Sequence, residues 1–391
     1  MREDNQVRQV LNIIESFDFS MPLGRFLAEH YKANKQMGGR DRRLASQLIF
    51  SYFRLGRACS KQSVEERLAL GYLLCSETNT SLSAYFREKY NLPLIEEGAS
   101  LEVKFEKLQT IYSTLMNEVV FPFTAALSEG VDAQEFGRSF FKQPRFFIRT
   151  RRKFRQEVLK DLKKNQIEFS EVTGTPNALA FENTVGITML DTFKKGYFEI
   201  QDLSSQKTGN FYNAAENEYW WDCCAASGGK SLLLTDAVPR IKLLVSDIRA
   251  SILENLKERF ARVQFKNYTA QLLDLSNGFD LKEGPFDGII LDAPCSGSGT
   301  WARCPEMVQH FDENEIQRFS NLQQTIATAV LPYLKQGKPL IYSTCSVFRD
   351  ENEKVVEFLV NNHGVKLEQM ELVSGLSDGA DTMFVARLIK L

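Results

Sequence analysis

The 391-residue sequence contains no hydrophobic run near the ~18 residues that a membrane-spanning helix needs, so an integral membrane protein is not expected. Its first ten residues, MREDNQVRQV, are charged and polar, which predicts no secretory signal and a cytoplasmic location. Only three histidines are present, and none of the seven cysteines forms a C-x-x-C pair. Both absences argue against a zinc framework, and we predict no metal site. In a reducing compartment a structural disulfide is not expected either.

The net charge of −2 hides an uneven distribution of basic residues. Residues 136–200 carry 13 basic and 7 acidic side chains, and within them the stretch 142–155, KQPRFFIRTRRKFR, has seven positive charges and no negative one. A solvated charged face has the same composition, but phenylalanines between arginines are also typical of phosphate contact and base stacking. We therefore predict contact with a polyanion from a set of basic side chains: Arg145, Arg149, Arg151, Arg152, Lys153 and Arg155.

The length of the chain predicts two or three domains. Residues 1–130 have apolar residues at helical spacing, with Asp41 and Ser63 as candidate helix N-caps, and predict a helical domain. Residues 138–212 predict a small α+β unit, in which RFFIRT, NALAFE and YFEI are strands and RQEVLKDLKKNQI is an amphipathic helix. The basic stretch belongs to this unit.

Residues 213–391 alternate apolar strands with helices, which predicts a doubly wound, mostly parallel sheet of Rossmann-like type. The strands are predicted at 219–224, 241–247, 286–292 and 338–345. Ligands of such sheets bind outside the carboxyl ends of the strands. Polar residues and thiols stand at these ends, and we expect them to meet at one edge of the sheet: Asp222, Asp247, Asp292, Cys295 and Cys345.

The segment WDCCAASGGKS, residues 221–231, has the pattern of a strand, a turn of small residues and a helix start. The two glycines permit close approach of a ligand to the backbone, and the N–H groups of the helix start favour an anionic group. It is not a phosphate-binding P-loop, because that motif requires glycine where Cys224 stands. Asp247, at the end of the next strand, is placed to bind both hydroxyls of a ribose, although a helix N-cap is the plain alternative. Asp274, in LLDLS, is a weaker candidate for cofactor contact.

Cys295 in DAPCSGSG and Cys345 in YSTCS could form a disulfide, a metal site or a catalytic pair, or could be packing residues. Both lie in polar turns of small residues, and Asp292 precedes the first by three positions, which favours catalysis. A thiolate that adds to carbon 6 of cytosine makes carbon 5 nucleophilic toward an electrophilic methyl group. A carboxylic acid at the ring and a base that removes the carbon-5 proton complete that scheme.

On these residues the chain resembles the Sun/RsmB (NOP2-like) family of S-adenosylmethionine-dependent RNA cytosine-5 methyltransferases. DCCAASGGK is similar to the cofactor loop of the family, DAPCSGSG to its Pro-Cys motif and YSTCSVFRDENE to its Thr-Cys motif. GYFEIQDLSSQ resembles the segment before the catalytic core, so the resemblance covers about 196–391. The N-terminal helices, with GRDRRLASQLIFSYFRLGR, resemble a NusB-like RNA-binding domain.

The resemblance implies a role for each matching residue. Cys345 would be the nucleophile, Cys295 would assist proton removal and release, and Asp292 would contact the cytosine ring. The cofactor would be held by a further set: Cys224, Ala225, Ala226, Ser227, Gly228, Gly229, Lys230, Asp247, Asp274 and Asp292. RNA would contact the basic stretch and Arg303. Two positions depart from the family pattern: Ser227 replaces the usual proline, and Cys304 replaces the usual Asn or His.

The implied function is methylation of carbon 5 of cytosine in RNA, with ribosomal RNA as the expected substrate, S-adenosylmethionine as cofactor and a monomer as the expected state. Transfer RNA is an alternative substrate. A non-catalytic ribosome-assembly factor with the same fold and a thiol redox protein are alternative functions.

Overall fold

The computed structural model describes residues 2–113, 115, 120–182 and 186–391. The chain divides into two compact units. The first comprises Met1–Leu127, Asp132–Gln143 and Thr300–Glu313. The second comprises Ser128–Val131, Pro144–Gly299 and Asn314–Leu391.

The first unit is helical. Its longer helices are α1 (Arg2–Glu15), α2 (Leu23–Ala33), α3 (Gly39–Arg54), α4 (Val64–Cys75), α5 (Ser81–Tyr90), α6 (Leu101–Gln109) and α7 (Ala133–Ser139). The apolar faces of these helices form one buried core that includes Leu48, Leu68 and Phe86. The expected N-terminal helical region is confirmed, whereas its likeness to NusB stays a prediction.

Of the two predicted N-caps, one is confirmed and one is wrong. The Ser63 hydroxyl accepts a hydrogen bond from the Glu66 amide at 3.2 Å and begins α4. Asp41 is not a cap, because α3 begins at Gly39 with Gly38 in the cap position. Asp41 lies instead in the first turn, where a negative charge still interacts favourably with the helix dipole.

The segment Thr300–Glu313 packs with the helical unit although its sequence lies within the predicted 213–391 domain. The Glu306 carboxylate accepts a hydrogen bond from the Leu23 amide at 3.0 Å. The Arg57 guanidinium donates to the carbonyls of Val308 at 3.1 Å and Phe311 at 2.5 Å. Because a buried backbone carbonyl needs a donor, these bonds give the segment a structural place in the helical unit. Arg303 lies in this segment.

The second unit contains a four-stranded antiparallel sheet of order β2-β3-β1-β4. Its strands are β1 (Phe146–Thr150), β2 (Ser170–Glu171), β3 (Ala178–Phe181) and β4 (Phe198–Ile200). The helices of this region are α8 (Arg155–Lys164), α9 (Asp191–Lys194) and α10 (Leu203–Lys207). Each of the three predicted strand segments forms a strand, and β2 is an additional short edge strand.

The second sheet of this unit has seven strands in the order β10-β11-β9-β8-β5-β6-β7. The strands are β5 (Tyr219–Asp222), β6 (Lys242–Asp247), β7 (Tyr268–Leu272), β8 (Gly288–Asp292), β9 (Pro339–Thr344), β10 (Val365–Val373) and β11 (Met383–Lys390). The helices are α11 (Gly229–Ala237), α12 (Ala250–Arg262), α13 (Asn314–Val330) and α14 (Glu353–Asn362).

Strands β5 to β9 pair in parallel, and β11 joins β9 and β10 antiparallel. The predicted doubly wound, mostly parallel class is confirmed, and the antiparallel extension is an addition to it. The chain runs from β5 to β6 and β7 on one side and returns to β8 on the other. The order therefore reverses beside β5, which is where ligands bind in open sheets of this type.

Candidate active site

The carboxyl ends of β5, β6, β8 and β9 meet at one edge of the seven-stranded sheet, beside a cavity of about 470 Å³. The lining residues that come from the predicted site are Cys224, Ala226, Asp247, Asp274, Asp292 and Cys295. Apolar side chains of α13, including Phe319 and Leu322, form part of the opposite wall. The sequence prediction that these strand ends converge is confirmed by this geometry.

The two predicted thiols are in contact. Cys295 lies in the turn after β8 and Cys345 directly follows β9, and their sulfur atoms are 3.3 Å apart. Both cysteines are free thiols. The hydrogen bond shared with Cys345 raises the pKa of the Cys295 thiol, and burial raises it further. Either thiol can donate in this shared hydrogen bond.

A buried carboxylate, Glu351, ties the two thiol-bearing turns together. It accepts hydrogen bonds from the Ser296 amide at 2.9 Å, the Ser346 hydroxyl at 2.7 Å and the Gln323 amide group at 3.0 Å. Burial raises the pKa of Glu351, and its hydrogen bonds to Ser296, Ser346 and Gln323 act against that rise. Ser296 and Ser346 each follow a thiol directly in the sequence, so the residue after each thiol is bonded to the same side chain, Ser296 through its amide and Ser346 through its hydroxyl. The sequence prediction missed Glu351, although it lies in the quoted YSTCSVFRDENE.

Asp292 ends β8 and forms an ion pair with Lys230, whose ammonium nitrogen is 2.6 Å from Asp292 Oδ2. The other oxygen, Oδ1, accepts a hydrogen bond from the Ser343 hydroxyl at 3.0 Å. The Lys230 side chain is nearly buried. Both oxygens of Asp292 thus accept hydrogen bonds, one from Lys230 and one from Ser343. Because Asp292 lines the cavity, Lys230 contacts the cavity wall.

Asp222, at the end of β5, is a second buried carboxyl; the sequence predicts it at this edge of the sheet but predicts no role for it. Its Oδ2 accepts a hydrogen bond from Ser231 at 2.5 Å, and its Oδ1 has no hydrogen-bond partner among the described residues. Burial raises the pKa of Asp222 to about 7; the Ser231 hydrogen bond opposes that rise and the charge of Asp292 adds to it.

Asp247 is the most completely bonded of the cavity carboxylates. Oδ2 accepts from the Ala226 amide at 3.0 Å, and Oδ1 accepts from the Arg249 amide at 3.0 Å. The Arg249 side chain adds two further bonds, at 3.0 and 3.2 Å. Burial acts to raise the pKa of Asp247, but the bonds and charge of Arg249 outweigh it and hold the pKa below its ordinary value. A ligand that binds this carboxylate must displace the exposed Arg249 side chain.

Asp274 lies at the cavity rim and caps its own turn. Its Oδ1 accepts from the Ser276 amide at 3.0 Å and from the Ser276 hydroxyl at 2.6 Å. These bonds lower the pKa of Asp274. It is therefore ionised and partly satisfied by its own loop while still facing the cavity.

Most of the basic side chains of residues 142–155 form ion pairs within the protein. Arg149 is 4% exposed and pairs with Asp236 and Gln201. Arg151 also pairs with Asp236, at 2.7 Å. Arg145 and Arg155 form ion pairs with glutamates at 2.9 and 3.0 Å. Burial thus argues against direct contact between Arg149 and RNA, and the composition of the stretch overstated its free charge.

The exposed cations of the stretch are Lys142, Arg152 and Lys153. The ammonium nitrogen of Lys153 lies 4.6 Å from the centre of the Phe154 ring, which stacks on Tyr197 with 3.8 Å between ring centres.

Within the described residues, no group of three or more His, Cys, Asp or Glu side chains is arranged to hold a metal ion. Nor does that part of the chain include a helix with the length and apolar character needed to cross a membrane.

Residues 210–389 match a protein family described as 16S rRNA methyltransferase RsmB/F. This part of the chain is similar to the RsmB/F family. The resemblance inferred from the motifs is thereby confirmed, because the matched range contains the cofactor loop and both cysteine motifs.

Curated relatives of the RsmB/F family include the ribosomal RNA small subunit methyltransferase B of Photorhabdus laumondii, 32% identical over 260 residues. That alignment covers 64% of this chain and 60% of the relative. The enzyme of the same name from Xylella fastidiosa is 32% identical over 229 residues, which cover 55% of this chain and 53% of the relative. The chain therefore matches only about half to three fifths of the length of these relatives.

Solved structures of similar fold include PH0851, with a TM-score of 0.74 at 19% identity, covering 98% of both chains. NSun6 from Pyrococcus horikoshii, solved with SFG, has a TM-score of 0.60 at 19% identity and covers 66% of this chain and 94% of its own. At such identities these likenesses establish the fold.

Proposed function

We propose that the protein is an S-adenosylmethionine-dependent RNA cytosine-5 methyltransferase that acts on ribosomal RNA of the small subunit. The observation that carries this proposal is the contact between the Cys295 and Cys345 thiols, at 3.3 Å, beside Asp292 and the cavity. The match of residues 210–389 to the RsmB/F family supports the reaction class and the substrate.

The residues around the cavity fit the proposed cofactor. The cavity volume of about 470 Å³ is in the range of small-molecule sites, and the cavity lining combines apolar walls with a few carboxylates. Asp247 would accept hydrogen bonds from the ribose hydroxyls, and the exposed Ile248 side chain beside it offers an apolar surface for the adenine. The ammonium group of Lys230 would form an ion pair with the carboxylate of the methionine part of the cofactor. When bound, the cofactor supplies the methyl group.

The protein's own residues then act on the cytosine. The Cys345 sulfur forms a bond to carbon 6, which makes carbon 5 electron-rich. After carbon 5 has gained its methyl group, a base removes the proton on that carbon and the bond between sulfur and carbon 6 breaks. Both thiols would act as thiolates, their own protons having passed to solvent: Cys345 adds to carbon 6 and is released in that form, and Cys295, whose sulfur lies 3.3 Å from that of Cys345, takes the proton from carbon 5.

The state of Asp292 refines its role. Its Oδ2 is paired with Lys230 and its Oδ1 accepts from Ser343, so the cytosine group that these acceptor oxygens would contact at first is the 4-amino group, which donates. Delivery of a proton to ring nitrogen 3 requires a protonated Asp292, and hence a weakened bond to Lys230. The Asp292–Lys230 ion pair would thus connect the residue that contacts the cytosine, Asp292, with the residue that contacts the cofactor, Lys230.

RNA contact from the second unit is proposed at Arg152 and Lys153, whose charges are exposed beside the Phe154–Tyr197 stack. Exposed cations near aromatic rings suit single-stranded RNA, where phosphates and unstacked bases are both accessible. Arg145, Arg151, Arg155 and Arg303 remain predictions for contact with RNA.

The test is methyl transfer from labelled cofactor to small-subunit ribosomal RNA, offered free and in assembled particles, with transfer RNA as the comparison. Cys345→Ala should abolish transfer, whereas Cys295→Ala should accumulate a covalent protein–RNA adduct. The reverse pattern would exchange the two roles. Absence of transfer to any RNA by the unmodified protein would favour the non-catalytic assembly factor, and transfer to transfer RNA alone would correct the substrate.

A further inference from the structure

The cofactor loop has a strained backbone at two neighbouring positions. Ala226 has a φ of 45° and Gly228 a φ of 81°, so Ser227 lies between two residues in the left-handed region. That region is costly for alanine, and such residues persist only where the surroundings hold them. A side chain at Gly228 is impossible, because its Cβ would lie 2.5 Å from the Phe260 ring.

Ser227 is held by the guanidinium of Arg259 on α12. Nη1 of Arg259 donates to the Ser227 hydroxyl at 3.1 Å and to the Ser227 carbonyl at 3.4 Å. Both described hydrogen bonds of Ser227 thus come from one side chain. Nη2 of Arg259 donates to the Ile200 carbonyl at 3.3 Å, so the fork spans from the cofactor loop to β4.

Arg259 is itself fixed by Glu199, a 1%-exposed carboxylate on β4. The Arg259 Nε donates to Glu199 Oε2 at 2.6 Å. Arg262 donates to both oxygens of Glu199 at 2.9 Å, and its guanidinium lies over the Phe193 ring. A buried carboxylate held by two arginines is a rigid anchor, because its charge in the interior needs at least one of them as a partner.

We propose that Arg259 is a positioning residue that sets cofactor affinity through Ser227. The contact runs from Glu199 to Arg259 and then to Ser227, whose neighbour Ala226 donates its amide to Asp247. The hydrogen bonds from Arg259 to Ser227 take the place of the proline that is usual at position 227, because a proline would restrict the same backbone covalently. This inference rests on the proposed function, since Asp247 and its loop are the proposed cofactor site.

The experiment measures binding of S-adenosylhomocysteine to the full chain by titration calorimetry, without RNA and without turnover. Arg259→Ala should weaken binding about tenfold, the factor that about 1.4 kcal/mol of lost preorganisation produces. Glu199 keeps Arg262 in that variant, so its charge remains paired. Arg259→Lys keeps a charge for Glu199 and loses the planar fork, so it should lose affinity with little loss of thermal stability.

Two controls separate positioning from general stability. Arg262→Ala removes the other partner of Glu199 and the contact with Phe193, so it should lower the melting temperature and leave the affinity unchanged. Lys257→Ala, on the same helix, breaks only an exposed pair with Glu254 and should change neither quantity.

The decisive variant combines Arg259→Ala with Ser227→Pro. None of the described hydrogen bonds uses the Ser227 amide, so proline removes no bond there, and it should restore most of the lost affinity. The proposal is wrong if Arg259→Ala and Arg259→Lys bind like the unmodified protein, if Arg262→Ala weakens binding as much, or if proline restores nothing. Failure of the unmodified protein to bind at all would instead overturn the proposed function.

Discussion

The buried carboxyl of Asp222 makes the stability of the catalytic unit depend on pH in a direction opposite to that of most carboxyl groups. Its pKa is about 7, against an ordinary value of 3.8. The folded state therefore holds this proton more tightly than the unfolded state. The associated stability is fully present below pH 3.8 and is lost as pH rises toward 7.

Asp222→Asn removes this dependence while it keeps the size of the side chain and an oxygen for Ser231. Each pH unit between the two pKa values corresponds to about 1.4 kcal/mol, so the unmodified protein should lose roughly 3 kcal/mol relative to the variant between pH 5 and pH 8. At pH 8 the variant should be the more stable protein. Ser231→Ala, which removes a bond that favours the charged form, should extend the pH-dependent range to higher pH.

Urea unfolding followed by tryptophan fluorescence measures this difference locally, because Trp220 and Trp221 are buried on β5 directly before Asp222. The reasoning would be refuted by parallel stability curves for Asp222→Asn and the unmodified protein across this pH range. Parallel curves would mean that Asp222 is ionised throughout, and that Lys230 and Ser231 outweigh its burial.

Three further predictions concern other side chains. Glu351→Gln should lower the rate of methyl transfer about tenfold at unchanged KM for the cofactor, measured by steady-state kinetics, because one amide oxygen cannot accept the three bonds that position both thiol turns. Arg149→Ala should cost about 3 kcal/mol in urea unfolding and leave RNA affinity unchanged, because it breaks a buried pair. Replacing Arg152 and Lys153 together by alanine should weaken RNA binding and reduce the slope of log affinity against log salt by roughly 1.4, without a change in melting temperature.

Much of the catalytic half follows from the sequence because parallel strands of an α/β sheet are buried apolar runs with polar ends. The edge strands are different. Strand β10, VKLEQMELV, is exposed along most of its length, so its sequence lacks the buried apolar run from which a strand is predicted. The basic stretch misled for a related reason: composition cannot tell a solvated arginine from Arg149, whose charge is neutralised by Asp236, 87 positions further along the chain.

The contact of the two thiols depends on strand register, which sequence patterns do not fix. In the β8–β9 pairing Asp292 lies opposite Ser343, and their side chains share a hydrogen bond. Cys295 and Cys345 follow that pair by three and two residues. A slip of one residue would move the turns apart by about 3.3 Å along the strands and turn each side chain to the other face. The sulfur–sulfur distance is therefore set by the Asp292–Ser343 bond and by Glu351, which binds beside both thiols. These polar contacts are part of the proposed active site as much as the cysteines, because without them the two motifs need not meet.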